Sequence, residues 1–445
     1  MTLQATLPRA AAARAPWWPA LRFELVKMLS TGRVRLLLVT CLVAPAAFVV
    51  GISHQSSLPA DTVFGRWLAT SGWAGSLVVL AFAGSWALPL ITSLVAGDVF
   101  AVEDRLGTWR HLLIVERSPA RIFVAKTVAS GSVIVALLTG LMLSSIAGGL
   151  IALGPTPLIG LDGTPLSSTE AGGTVLVAWL SVLAPTLAFA AVGLLGSVLF
   201  GRSPMGLILP ALLALGMNLV LLMPVPTALR LALPSSGFLS WRGLLTRPEQ
   251  LEPILLGVAT SLVWAVAATG LAYVAFRRRD FTNTAFDGVG ARDVVAAIGA
   301  LLVLVATSAL AIVPMTGGSG VDDRRLEATL STAFAHLYRL QTDQLHRPAV
   351  TERQLATTAA CDKGGMRVED HGPGPDWRCV VTWHLPGTTA TGTATYQLDV
   401  AADGRFVADG DGPKEVNGYF QVRTPLGDAP NPLWQIDGLV DLLQP

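Results

Sequence analysis

Apolar residues run in long, nearly uncharged stretches through the first 315 positions, broken by short charged connections; an ordinary mixture of polar and apolar positions then takes over. A helix that crosses a bilayer needs about 20 apolar residues, 17–25 in practice. Seven stretches meet that length: 36–53, 73–96, 123–153, 174–200, 205–224, 251–276 and 293–314. The first follows Arg33 and Arg35, so a signal peptide is the competing reading; further apolar runs behind it favour an uncleaved helix. Pro45, Pro89, Pro185 and Pro210 lie inside these runs, with many Gly and Ala, and in lipid they permit kinks and close helix contact. Ionisable side chains are absent from mid-span. Asn218 is the most polar residue there, read either as an interhelical hydrogen bond or as a contact on a translocation path.

Two shorter patterns stand out. Over 17–33, Trp17, Trp18, Leu21, Leu25, Met28 and Leu29 recur at helical spacing while Arg22, Glu24 and Lys27 cover other faces, which predicts an interfacial helix with Trp at headgroup depth. Between the second and third runs, 98–126 is a charge-dense island. Leu106, Trp109 and Leu113 fall at helical spacing beside Leu112, with Glu103 and Asp104 near the helix start and Ser118-Pro119 ending it. Such a segment either docks in a partner's groove or rests its apolar face on the bundle as a solvated connector.

Composition sharpens this picture. The chain has 445 residues, 52% of them hydrophobic and 14% charged, against about 25% charged in soluble proteins. A net charge of +1 argues against a nucleic-acid partner. Lys and Arg are unevenly placed: one set of connections holds Arg9, Arg14, Arg22, Lys27, Arg33, Arg35, Arg105, Arg110, Arg117, Arg121, Lys126, Arg202, Arg277, Arg278, Arg279 and Arg292, the other only Arg66, Arg230, Arg242 and Arg247. The positive-inside rule puts the first set, and the N-terminus, in the cytoplasm. An odd number of spans then carries the 316–445 tail outside, where Cys361 and Cys379 can form a persistent disulfide; two reduced thiols are the alternative.

In that tail, residues 322–345 predict an amphipathic helix with Leu326, Leu330, Phe334, Leu337 and Leu340 on one stripe. Strand-like runs follow at 377–385, 393–401, 405–408 and 419–423, with Asp403-Gly404 as a hairpin turn and 434–443 as a short final helix. The disulfide would join the Cys361 loop to the strand at Cys379. The layout weakly resembles small extracytoplasmic helix-plus-sheet domains of actinobacterial envelope proteins.

No Gly-x-x-x-x-Gly-Lys-Ser/Thr phosphate loop, His-Glu-x-x-His or Gly-x-Ser-x-Gly occurs, and the six histidines, His336, His346 and His384 among them, lack metal-ligand spacing. No catalytic residue and no metal site is expected. The Arg277–Arg292 linker sets topology or touches anionic headgroups.

The order of an interfacial helix bearing Glu24 and Lys27, two spans, a Glu-x-x-x-Gly-Thr turn (Glu103, Gly107, Thr108), Leu112-Leu113, Ser118-Pro119, Arg121, Lys126 and a third span resembles the permease subunits of ABC type-2 exporters. The likeness covers about residues 17–280. It implies an all-α polytopic membrane bundle: a six-span ABC type-2 permease-like body (36–276, coupling segment 98–122) behind a cytoplasmic N-terminus (1–35). The chain adds a cytoplasmic basic linker (277–292), a seventh transmembrane helix (293–315) and a small extracytoplasmic α+β domain, a helix on an antiparallel sheet (316–445). It implies no cofactor on this chain, with ATP and Mg on a separate cytoplasmic ABC ATPase, a second permease copy as homo- or heterodimer, and contact with membrane lipid. Glu103, Gly107, Thr108, Leu112 and Leu113 would lie at the ATPase-coupling surface, Glu24 and Lys27 on the connecting helix, and residues 225–250 would supply short membrane-dipping helices. The expected function is the translocation path of an ATP-driven exporter for an apolar or amphipathic substrate. The alternative is a non-transporting envelope sensor or scaffold whose outer domain binds a ligand or an envelope partner, motivated by the seventh span and the tail. A membrane enzyme is a distant third.

Overall fold

A computed structural model describes residues 17–55, 63–115, 118–201, 204–223, 225–279, 281, 289–316, 320–364, 370–385, 387–412, 418–425 and 427–443. Arg9, Arg14, Arg117, Arg202, Pro224 and, within the 277–292 linker, residues 280 and 282–288 lie outside the described residues.

Among the described residues from 17 to 316, helices dominate: α1 (Trp18–Ser30), α2 (Gly32–Ser53), α3 (Val63–Thr70), α4 (Gly72–Phe82), α5 (Leu88–Ala96), α6 (Ala101–Leu106), α7 (Trp109–Val115), α8 (Pro119–Leu153), α9 (Ser168–Ser181), α10 (Leu183–Phe200), α11 (Met205–Leu222), α12 (Thr227–Leu231), α13 (Glu252–Arg278) and α14 (Ala291–Ile312). Among the described residues, six helical segments are long and apolar enough to cross a membrane: Gly32–Ser53, Gly72–Leu106, Pro119–Leu153, Ser168–Phe200, Glu252–Arg278 and Ala291–Met315. The expected 205–224 span is the shorter helix α11, about 27 Å at 1.5 Å per residue.

Contacts fix the direction of each apolar run. At one end Arg33 at the start of α2 pairs with Asp98 beyond α5, Ser197 near the end of α10 meets Phe100, Gly206 of α11 abuts Gly97, and Arg279 after α13 pairs with Asp104. At the other end Gly72 of α4 abuts Gly149 of α8, Trp73 bonds Ser168 of α9, and Ile312 of α14 packs on Ala228 and Ala232. The seven runs therefore alternate between two ends.

Lipid offers no partner for a freed backbone group, so breaks in these helices are mended by neighbours. The residue after each in-helix proline does this through a serine: Ala46 N–H donates to Ser144 Oγ (3.1 Å) and Ala211 N–H to Ser93 Oγ (3.1 Å). A π-helical turn at Ala83–Ala87 joins α4 to α5. Gly72 and Gly149 cross so closely that a Cβ on Gly72 would sit 2.6 Å from the Gly149 carbonyl oxygen, which excludes any side chain at that point.

The tail is a sheet with a helix laid across it. After short β1 (Leu158–Ile159) and β2 (Pro165–Leu166) in the connection between α8 and α9, the tail holds α15 (Asp323–Gln344), α16 (Glu352–Leu355), β3 (Thr358–Lys363), β4 (Gly374–His384), β5 (Thr391–Val400), β6 (Arg405–Gly410), β7 (Gln421–Thr424), β8 (Gly427–Pro430) and β9 (Gln435–Leu439). The main sheet is antiparallel, ordered β3-β4-β5-β6-β9; β7 and β8 form a separate ribbon. Leu326, Leu330, Phe334 and Leu337 of α15 pack on Trp377, Cys379, Tyr396, Leu398 and Phe406. Asp322 caps α15 by accepting from the Arg325 N–H (2.9 Å).

Two expectations are corrected. Residues 434–443 are not a helix: Gln435–Leu439 pairs with β6, and Ile436 and Val440 are buried in the domain core. Cys361 is not on a loop but on β3, directly opposite Cys379 of β4, and the two form a disulfide. The seventh apolar helix leads into this domain, which packs on the bundle end opposite α1.

Candidate functional site

The 98–126 island is a hairpin of two short helices pinned into the bundle end. Ser197 Oγ accepts from the Phe100 and Ala101 N–H groups, both at 3.0 Å, and so caps the start of α6. Gly107 ends α6 with φ 64°, a left-handed conformation that glycine takes without cost. Thr108 N–H then returns to the Glu103 carbonyl at 3.0 Å, closing the turn before α7.

Charges sew the hairpin to three other helices. Glu103 is 0% exposed and Lys126, of α8, 1%. Lys126 Nζ lies 2.6 Å from Glu103 Oε1 and 3.0 Å from Glu24 Oε2 of α1. Lys27 also donates to Glu103 Oε1, and Thr108 Oγ1 to Glu103 Oε2. Two carboxylates thus face two ammoniums, so the cluster is neutral. Beside it Arg279 grips Asp104 through two bonds of 2.9 and 2.5 Å, and Trp109 Nε1 donates to Asp104 Oδ1 at 2.6 Å. Asp98 pairs with Arg33 and Arg105, each at 2.6 Å. Phe100, Trp109, Phe123, Phe276 and Phe281 form an aromatic stack under the hairpin, with Trp109 and Phe281 5.1 Å apart and Arg279 over both rings.

The residues expected at the coupling surface divide. Glu103 is internal: its carboxylate is consumed by Lys126, Lys27 and Thr108, and it presents nothing to a partner. Gly107 is exposed and Thr108 half-buried. Leu112 and Leu113 are half-buried and pack on the bundle core. The hairpin's exposed side chains are Arg105, Arg110 and His111 together with the apolar Leu106 (64% exposed), Ile114 (77%) and Val115 (86%). On α1, Lys27 reaches Glu103, and Glu24 turns inward with Leu21 and Met28 while Trp17 and Trp18 stay exposed. An apolar-face argument could not place Glu24, because it ignores Lys126. The signal present in the sequence was a lone lysine inside a long apolar helix, a residue that needs a carboxylate partner. Asn218 donates to the Ser85 carbonyl (3.2 Å) in the π-helical turn, so it mends backbone between α11 and the α4–α5 junction. No group of three or more His, Cys, Asp or Glu able to hold a metal occurs among the described residues.

A second polar seam joins the opposite end of the bundle to the sheet domain. Asp162, in the β1–β2 loop, accepts from the Arg247 N–H (2.6 Å) and the Thr164 N–H (3.0 Å), and its Oδ2 lies 3.1 Å from His336 Nδ1 of α15. Thr164 Oγ1 also meets His336 Nδ1 (3.1 Å), and Glu352 lies 3.5 Å from Nε2. Burial works against charge on His336, but the Asp162 hydrogen bond and charge, then Glu352, outweigh it and hold its pKa above the ordinary imidazole value. Burial likewise opposes ionisation of Asp162, and the His336 bond and charge, with the two N–H groups, still hold its pKa below the usual carboxylate range. Arg242 donates to Asp403 (3.1 Å) and Gln250 to the Leu439 carbonyl (3.0 Å) across the same seam. No protein-family model and no curated protein matches the chain.

Proposed function

We propose that this chain is the membrane permease subunit of an ATP-driven ABC type-2 exporter, with the α6–α7 hairpin as its coupling element. One observation carries the reading. The hairpin shows Leu106, Ile114 and Val115 outward, yet buried ion pairs tie it to α1, α8 and the end of α13. A partner that seats on that apolar tip moves three helices at once, because Glu103 and Asp104 hold them. The excess of Lys and Arg on this side supports a cytoplasmic hairpin and an extracytoplasmic sheet domain in a bacterial cell membrane. ATP and Mg belong to the partner ATPase, a second permease copy completes the path, and the apolar, nearly uncharged bundle suits an apolar or amphipathic substrate.

Purification of the tagged chain from native membranes in mild detergent tests this. A stoichiometric ATPase should co-purify and be lost in the Leu106→Glu/Ile114→Glu variant; its absence from the wild-type preparation counts against the reading. The docked sheet domain favours a second reading, an envelope sensor. Deleting residues 316–445 separates the two: a transporter keeps basal flux, and a sensor loses all output.

A further inference from the structure

At the seam between bundle and sheet domain lies an open cleft of about 80 Å³, walled by Leu221, Leu231, Leu239, Pro253, Leu442 and Leu443. Leu221 is in the last turns of α11 and Pro253 in the first of α13, so the cleft sits where two apolar helices end. Arg230 and Arg242 line it, with Asp403 as the only acid on its wall among the described residues. Arg242 spends its bond on Asp403 (3.1 Å). Arg230 is 3% exposed; its Nε bonds the Val225 carbonyl (3.2 Å), its Nη2 the Met223 carbonyl, and its buried Nη1 has no partner among the described residues. An unpaired guanidinium nitrogen in an apolar enclosure is costly unless an acceptor arrives.

We propose that this cleft binds an amphiphile with one anionic headgroup, a carboxylate or phosphate set on Arg230 Nη1 and its chain along the leucines. Two arginines against one aspartate leave a positive charge that a neutral ligand would not answer. The apolar walls beside the helix ends distinguish an amphiphile from a free anion. The site does not depend on coupling to an ATPase, so its failure and that of the permease reading are separate results.

The test is native mass spectrometry of the full chain in a neutral maltoside detergent, with dodecyl phosphate, dodecanol and inorganic phosphate as probes. Dodecyl phosphate should give a one-to-one adduct that dodecanol and phosphate do not match. Arg230→Gln should weaken it about ten-fold or more, the effect of one charge-assisted hydrogen bond. Ala402→Trp keeps both arginines and fills the cleft, so it should abolish the adduct even if Arg230→Gln folds poorly. Displacement by phosphatidylglycerol would assign the site to bilayer lipid, and no displacement to a single-chain amphiphile; both support it. Equal binding of dodecanol or of phosphate alone would overturn the proposal, as would unchanged binding in Ala402→Trp.

Discussion

The two ends of the bundle solve the same problem, holding a separate element on a helical body, with different chemistry. At the hairpin end the connections are Lys and Arg against carboxylates, buried and mutually neutralised. At the sheet-domain end the central pair is His336 with Asp162, whose strength depends on protonation. The hairpin end is held by several mutually paired charges, whereas the pair at the sheet-domain end rests on a histidine, the side chain whose ordinary titration lies near neutral pH. The hairpin end is therefore read as a fixed linkage, and the sheet-domain seam as an adjustable one.

The largest effect should come from breaking the fixed linkage. Lys126→Met strands Glu24 without its ammonium and leaves Glu103 with Lys27 and Thr108 alone. Removing one partner of a buried pair costs about 3–5 kcal/mol, so the bundle's denaturation midpoint should fall sharply, with partial recovery in Glu24→Gln/Lys126→Met. A single variant as stable as wild type would erase the distinction between the two ends. Next, Cys361→Ser/Cys379→Ser should destabilise the sheet domain by about 2–4 kcal/mol, seen as faster amide exchange in β3 and β4 with the bundle unchanged. Gly107→Ala keeps every charge but forces a left-handed alanine, a cost of roughly 1–2 kcal/mol; exchange should rise in α6 and α7 alone.

The smallest and most local effect is on pH. His336 has a raised pKa when folded, so its contribution is complete below the unfolded value and is lost as pH rises through the folded one. Asp162 has a lowered pKa, so its contribution is present above the unfolded carboxylate value and is lost as pH falls through the folded one. Amide protection in α15, taken relative to the intrinsic exchange rate at each pH, should thus be highest in mildly acidic solution and fall toward alkaline pH. His336→Gln should flatten that alkaline limb while leaving the hairpin unaffected.

The contrast also marks what a sequence discloses. The apolar runs, the charged island and the α15 stripe were legible because each is a local period or a local composition. Glu103, Glu24 and Lys126 were visible as charges, but their meeting joins positions that only tertiary packing brings together. Hence Glu103, which resembles a surface acid, is internal, and the outward tip belongs to Leu106, Ile114 and Val115. In the tail, β4 and β5 carry aromatic and β-branched alternation and read as strands. Thr358–Lys363 does not, and the run holding Ile436 has the length of a short helix, so pairing with β4 and β6 decides both. The Asp162–His336 seam had no local signal, since its two residues lie in separate domains.

The most direct test of the proposed coupling role is the ATP hydrolysis rate, in lipid nanodiscs, of the chain together with an ATPase that co-purifies with it, with wild-type chain and with Ile114→Glu/Val115→Glu. Both positions are exposed, so the fold should be retained. The account predicts hydrolysis stimulated by the wild-type chain and brought back to the rate of the free ATPase by the variant. Equal stimulation by the two chains would contradict it.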